Sequence, residues 1–529
     1  MKPRLPDREL WLFAALIALH LLPIWMLPVA PTQDGPAHLS MAHALRQIDK
    51  PEGVHLREYF QHNREAIPNW FVFFLLADAL RPFSLPVAEK ILLSAYVILL
   101  PLAARYALRA VRPGSGFLAF LIFPFTYNYL LNMGFYNFCF SLAAFLFAVG
   151  FWLKHRGRLG PNRTAGLALL VLWTYFCHPV TLGVLVGTLL ALAWWRSFVG
   201  YRRGRRGAGL RSMAVLLPPI AACAPAVFLL LSFLRSRMAG PVSDMTLWAK
   251  TRQLVSLYSL VSIDSRMLYL ALTLSLFLTL LAATALARRG RRKQFLPGDG
   301  LLLAAMLLVG VYFLAPNEMG QGGFVTHRLN LFPFLVLILW LGTFSYAAPI
   351  KAVLRSAASA LAFGFLAATL ALWAGLGAYL GEVLTAAPRL EPGRTLVTLS
   401  FSNAGVDEIG ETLSFRTWPF VHAGSLLAAR RPVVDLSLYE AHEDYFPLIY
   451  RPDRDPFTHL AREPIDLEAE PPRVDLSALP VDYVLLVWPK AVPPENPAAR
   501  SIRRQLAERY ERVHVSPQGI AELYRRVRP

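Results

Sequence analysis

Long apolar runs alternate with short arginine-rich joints from residue 10 to about 383. A helix needs about 20 consecutive apolar residues to cross hydrocarbon. Runs at 9–30, 86–110, 115–130, 134–153, 164–178, 179–196, 212–234, 266–287, 300–315, 329–349 and 356–381 therefore predict about eleven spans. Several are short for a full crossing, which predicts tilt or kinks. Residues 31–85 form a long first loop. Within it, Trp70 to Leu80 is only about a dozen residues, the length of an interfacial or re-entrant helix.

Beyond about residue 384 the pattern changes. Charges and prolines rise and the long runs stop. Arg394–Phe401, Pro432–Leu438 and Asp482–Trp488 are rich in β-branched and aromatic residues and predict strands. Ala498–Tyr510 predicts a helix, with Ile502, Leu506 and Tyr510 at four-residue spacing. Glu463–Arg473, rich in proline and acid, predicts a loop. The expected architecture is an α-helical polytopic membrane domain over 1–383 and a small α/β domain over 384–529, with no internal repeat.

Composition supports this. Hydrophobic residues make up 55% of the chain and mean hydropathy is +0.43. Charged residues are 16%, against about 25% in soluble domains. A soluble globular protein is excluded. The net charge of +19 sits in clusters between the apolar runs, which marks membrane topology and not nucleic-acid binding. Placing the N-terminus in the cytoplasm puts every cluster on that side. These include Arg105/Arg109/Arg112, Lys154/Arg156/Arg158/Arg163, Arg196 through Arg211, Arg288 through Lys293, and Lys351/Arg355. The agreement requires that Trp70–Leu80 does not cross. Residues 31–85 and the C-terminal domain then lie outside. Lys2, Arg4 and Arg8 before Leu10–Ala30 resemble the start of a signal peptide. The run is long for that, and Pro31 is a poor cleavage junction, so a retained first span is expected. Cys139, Cys177 and Cys223 lie in apolar runs without metal-ligand spacing and read as buried hydrophobes.

The outer side carries the unusual polar residues. The first loop opens Pro31-Thr32-Gln33-Asp34-Gly35-Pro36-Ala37-His38, with Pro36 suited to the first turn of a helix. Asp34 and His38, four apart, fall close together there. Asp34 either caps that helix or, partly buried beside the membrane, serves as a base. His38 either packs at the interface or assists Asp34.

The run Asp34-Gly35-Pro36-Ala37-His38 resembles the acid-x-Pro pattern just after the first span in membrane glycosyltransferases of the GT-C class. Those include the protein O-mannosyltransferases and the aminoarabinose transferases. Ile67-Pro68-Asn69-Trp70-Phe71-Val72-Phe73 resembles the proline-aromatic helix of their first loop. Phe83 through Ala88-Glu89-Lys90 resembles the segment that follows. The order of parts is similar along the whole chain. The segment Tyr127 to Phe138 lacks the second acid often found there, and Ile67 stands where a basic residue often precedes the proline. The resemblance implies transfer of a sugar from a polyprenyl-phosphate donor to an acceptor hydroxyl at the outer face, with Asp34 as base. It implies a lipid-linked donor, membrane lipids and an acceptor as partners. Together with the arginine- and alanine-rich composition it points to a bacterial inner membrane.

A leaving lipid phosphate needs positive charge. Arg328, with His327 beside it, ends a glycine-containing outer loop and suits bidentate phosphate binding, or else snorkels at a span end. Arg64 and Lys90 are further candidates, Lys90 also being placed to pair with Glu89. His178-Pro179 breaks an apolar stretch, so His178 either lines a cavity or bonds a nearby carbonyl. Asn132, Tyr136 and Asn137 either bind sugar hydroxyls or join helices. His422, His442, Glu443 and Asp444 read as a solvated loop. No cofactor is expected. Asp34 and His38 give two metal ligands at most, so no metal is predicted, and there is no Walker loop or dinucleotide fingerprint.

Two readings compete: a transporter or flippase of a lipid-linked glycan, against which the lack of matching halves counts, and a non-catalytic protein of the same fold. Orientation is directly testable. A membrane-impermeant thiol reagent is expected to label Glu52→Cys on intact cells and Arg291→Cys only after permeabilisation. The reverse pattern overturns the topology.

Overall fold

The computed structural model describes residues 8–156, 159–203, 208–237, 242–291, 294–319, 322–407, 409–460 and 474–527. Lys2, Arg4, Arg158, Arg205, Arg206, Arg292, Lys293 and the Glu463–Arg473 segment lie outside the described residues, as does the side chain of Arg211.

The apolar runs form helices, because a chain in hydrocarbon must satisfy its own backbone. Among the described residues, seven are long and apolar enough to cross a membrane: Arg8–Met26, Leu85–Val111, Tyr136–His155, Pro179–Arg202, Val215–Arg235, Met267–Gly290 and Ala348–Arg389. Pro113–Phe125, Asp299–Leu314 and Val325–Leu341 are shorter apolar stretches. Pro161–Cys177 ends where His178 turns extended and Pro179 starts the next helix.

One predicted span takes another form. Instead of a single α-helix over 115–130 there is a 3₁₀ helix, Pro113–Phe125, and a one-turn α-helix, Tyr129–Asn132. Asn128 Oδ1 caps the latter, accepting from Leu130 and Leu131 N–H at 2.9 and 3.1 Å. Every residue from Ser115 to Gly134 is buried. The 3₁₀ run packs against both Leu85–Val111 and Ala348–Leu384. Its rise of about 2.0 Å per residue carries it about 26 Å, against about 20 Å for an α-helix of the same length.

Leu85–Val111 and Tyr136–His155 approach closely through small residues. Ala103, Ala104 and Ala107 are fully buried. A methyl on Gly150 would stand 2.8 Å from the Ala107 Cα. Trp70–Leu80 forms only a short helix, Phe71–Phe74, and a π-helical turn, Leu75–Ala79. Arg46 ties down its end, donating to the carbonyls of Leu76 at 2.9 Å, Leu80 at 2.9 Å and Phe83 at 2.8 Å.

The C-terminal part contains a five-stranded sheet in the order Val434–Asp435, Thr395–Ser400, Tyr483–Val487, Ala521–Arg526, Tyr510–Val515. The first three strands run parallel and the last two pair antiparallel. Tyr483–Val487 is buried throughout, as suits a central strand. Helix Pro497–Arg509 turns Ile502 and Leu506 inward.

This part interlocks with the first loop. Phe60–His62 pairs antiparallel with Leu448–Tyr450. Helix Gly35–Gln47 packs against the short helix Ser425–Ala428. Arg416 lies 3.9 Å from the ring centroids of both Tyr129 and Tyr258, and donates to the carbonyls of Tyr258 and Val261 at 2.8 and 2.6 Å.

Gly134 has φ +84°, and a methyl there would meet the Asp34 nitrogen at 2.6 Å. Gly134→Ala is therefore expected to lower the melting temperature of the purified protein. The left-handed backbone alone costs about 1–2 kcal/mol. Gly183→Ala, in a helix with open space around it, is expected to leave the melt unchanged or raise it. Equal melts for the two variants would contradict this account.

Candidate active site at the first loop

The site is built where Gln33 and Asp34 dock on the turn before Tyr136–His155. Gln33 N–H donates to the Asn132 carbonyl at 2.9 Å, and Asp34 N–H to that of Met133 at 3.2 Å. Asp34 stands at the N-cap of helix Gly35–Gln47, yet its side chain makes no capping bond. The capping alternative for the carboxylate is thereby removed. Asp34 is 4% exposed, and the nearby polar groups of Tyr439 and Gln33 favour its charged form. Its Oδ1 lies 3.7 Å from His422 Nε2. Burial raises its pKa to about 7, with His38 opposing the rise and Glu440 adding to it.

His38 is held from both sides. Its Nδ1 faces Glu440 Oε1 in a short hydrogen bond, and its Nε2 lies 2.9 Å from the Gly134 carbonyl. Both partners are acceptors, so both ring nitrogens carry hydrogen and the ring is an imidazolium. Burial alone would lower its pKa; Glu440, Asp34 and the Gly134 carbonyl together raise it to about 9. His422 behaves oppositely. Burial, then the charge on His38, lowers it to about 3, so it is neutral. Its ring stacks on Tyr439 at 4.7 Å. Burial also raises Glu440, which His38 pulls back down.

The segment Tyr439 to Asp444 thus departs from the solvated loop expected of it. Glu440 is fully buried and Ala441 nearly so. His442 is half-buried, and its Nδ1 bonds Asp455 Oδ2 at 2.6 Å. Glu443 is half-buried; Asp444 is exposed as expected, and its carbonyl accepts from Asn63 Nδ2 at 2.8 Å. Leu436, Leu438 and Ala441 are buried in the same stretch and hold it against the rest of the protein.

The other predicted residues divide into two groups. Arg328 is half-buried near the cluster, close enough to Asp34 for their charges to interact. Its guanidinium lies over Phe135 at 4.7 Å and donates to the Gly323 carbonyl. Its Nε is buried with no partner among the described residues. His327 is buried, 5.5 Å from the Tyr129 ring centroid. His178 is buried, with its ring edge-on to Phe138 at 5.2 Å. Nδ1 of each histidine is likewise without a partner among the described residues.

Most of the second group is engaged in holding the bundle together. Asn132 Nδ2 donates to the Asn128 carbonyl at 3.0 Å, and its Oδ1 accepts from Trp373 Nε1 at 2.9 Å. Asn137 Oδ1 accepts from Val72 N–H at 2.9 Å, and its Nδ2 donates to the Asn69 carbonyl at 2.6 Å. Tyr136 donates to Glu89 Oε1 at 2.7 Å and lies 2.6 Å from Thr32 Oγ1. Lys90 does not pair with Glu89; it lies over the Trp25 ring at 5.7 Å. Arg64 is exposed, apart from the buried cluster.

Sequence reasoning missed Glu440, Tyr439 and His422 as parts of this site. Their signal was weak: acids and histidines in a stretch whose apolar neighbours follow no helix or strand period. Among the described residues, no group of three or more His, Cys, Asp or Glu is arranged to hold a metal ion.

No protein-family model matches the sequence, and no curated protein does. Solved structures do match in fold. The crystal structure of ArnT from Cupriavidus metallidurans bound to undecaprenyl phosphate is similar with a TM-score of 0.53 at 10% identity, over 98% of this chain and 99% of that one. Its apo state gives 0.51 at 10% identity, over 98% of each chain. The fold expected from the first-loop resemblance is the one observed.

Removing one member of a buried ion pair costs about 3–5 kcal/mol. His38→Ala is expected to lower thermal stability accordingly, by leaving Glu440 buried and unpaired. The apolar replacement His38→Phe/Glu440→Leu is expected to melt above His38→Ala. His38 binds its proton more tightly in the folded chain, so its contribution is full below about pH 6.5 and lost as pH rises through about 9. Additive losses in the double variant would contradict the pair.

Proposed function

We propose that this protein is a membrane glycosyltransferase that moves a sugar from a polyprenyl-phosphate donor to an acceptor hydroxyl at the outer face of the membrane. One observation carries the reading: a buried carboxylate, Asp34, excluded from capping and holding its proton up to about pH 7, beside a helix bundle. The fold shared with an ArnT structure bound to undecaprenyl phosphate supports the donor class.

In the proposed step the acceptor oxygen bonds to the anomeric carbon as the bond from that carbon to the phosphate oxygen breaks. Asp34 takes the hydroxyl proton. The phosphate leaves with the bonding pair, and Arg328 receives its charge through Nε, with Phe135 fixing the guanidinium plane. The imidazolium of His38 favours the ionised form of Asp34. His38 is a positioning residue here, joined to Glu440.

The test uses purified full-length protein with polyprenyl-phosphate sugars, reading sugar transfer and donor hydrolysis. Asp34→Asn is expected to lower the rate roughly 10²–10⁴-fold, the usual worth of a positioned base. The wild-type rate is expected to rise with pH through about 7 as Asp34 loses its proton. A fully active Asp34→Asn protein would overturn the assignment, and movement of intact lipid without transfer would favour a transporter.

A further inference from the structure

At the other end of the bundle lies a cavity of about 840 Å³. Its walls are the final turns of several helices, the start of Asp299–Leu314 and the Thr343–Ser345 turn. Glu89 and Val111 lie near the two ends of one helix, so this cavity is roughly 33 Å from the Asp34 end at about 1.5 Å rise per residue. It is a separate site and does not depend on the proposed reaction.

Six arginines line it, Arg112, Arg156, Arg196, Arg203, Arg288 and Arg289, against one acid, Asp299. Asp299 is already engaged by Arg289, at 2.7 Å from Nε to Oδ1. Arginines that serve topology alone extend outward to lipid headgroups and water. These six line one recess, with Arg112, Arg156, Arg196 and Arg289 half-buried and Arg203 and Arg288 exposed. Burial, then the charge of Arg196, lowers the pKa of Arg156. Among the described residues Arg156 has no carboxylate partner. Trp152 and Phe344 give the walls apolar faces. Six guanidiniums against one carboxylate leave the recess strongly positive, and basic pockets between membrane helices suit phosphorylated headgroups.

We propose that this cavity binds an anion carrying two or more phosphate charges, either a lipid headgroup or a free phosphoanion. Arginine suits it through paired hydrogen bonds to phosphate oxygens.

The experiment measures binding of inorganic pyrophosphate and, separately, of cardiolipin to the full-length protein in detergent, by native mass spectrometry and titration. Arg156→Gln/Arg288→Gln is compared with Arg109→Gln/Arg291→Gln, which removes the same charge from exposed positions outside the cavity. The cavity variant is expected to lose affinity about tenfold for each arginine, and the control variant less than about twofold. Cardiolipin binding alone supports a headgroup as occupant, and pyrophosphate binding supports a free phosphoanion. Should the double variant fold poorly, the exposed Arg288→Gln is measured alone. No binding of either probe, or equal losses in cavity and control variants, overturns the proposal.

Discussion

An ionisable carboxylate taken out of water has to be surrounded by donors and charge, since desolvating an ion costs several kcal/mol. The shell around Asp34 meets this from three distant segments. Gln33 and His38 come from its own loop, the Gly134 carbonyl orients His38, and Tyr439, Glu440 and His422 come from the C-terminal part. No one segment builds the site. The strand pair at Phe60–His62, the seating of Ser425–Ala428 on Gly35–Gln47 and the lodging of Arg416 between two tyrosines are the contacts that hold those segments in register.

Much of the fold was legible because hydrocarbon imposes a simple rule on sequence. Apolar runs became helices, and the helices from Leu85 and from Pro179 begin where a proline stands in the first turn. The 3₁₀ run was not legible. Pro113–Phe125 is as apolar as a span, and nothing in its composition separates the two helix types. The strands Tyr510–Val515 and Ala521–Arg526 were hidden by their charges, since one face of that hairpin points to solvent. Asp34 and His38 were legible as a pair four residues apart. Glu440 was not, because its partner lies 402 positions away.

The arginines show how one composition serves two ends. Their placement between apolar runs is what orients a membrane protein, and some, such as Arg109 and Arg291, are exposed as that role requires. Others turn inward. Arg105 meets Glu9 at 2.9 Å, tying the first helix to Leu85–Val111. Periodicity and charge counting cannot separate these groups, because the distinction lies in which way each side chain leaves the helix end.

A shared fold at 10% identity over nearly the whole chain has a physical reason. Positions facing lipid accept any apolar residue, so identity drains away while helix order persists. Positions of close approach are less free. A methyl on Gly35 would stand 2.3 Å from both Thr32 Oγ1 and Tyr136 Oη, and 3.0 Å from Glu89 Oε1. The loop presenting Asp34 comes this near the bundle because residue 35 has no side chain. Pro36 then starts the helix without needing a backbone donor, and His38, four residues after Asp34, reaches Glu440. Asp34, Gly35, Pro36 and His38 each have their own physical task, which is why so brief a motif stands out in a chain whose lipid-facing remainder is freely exchangeable.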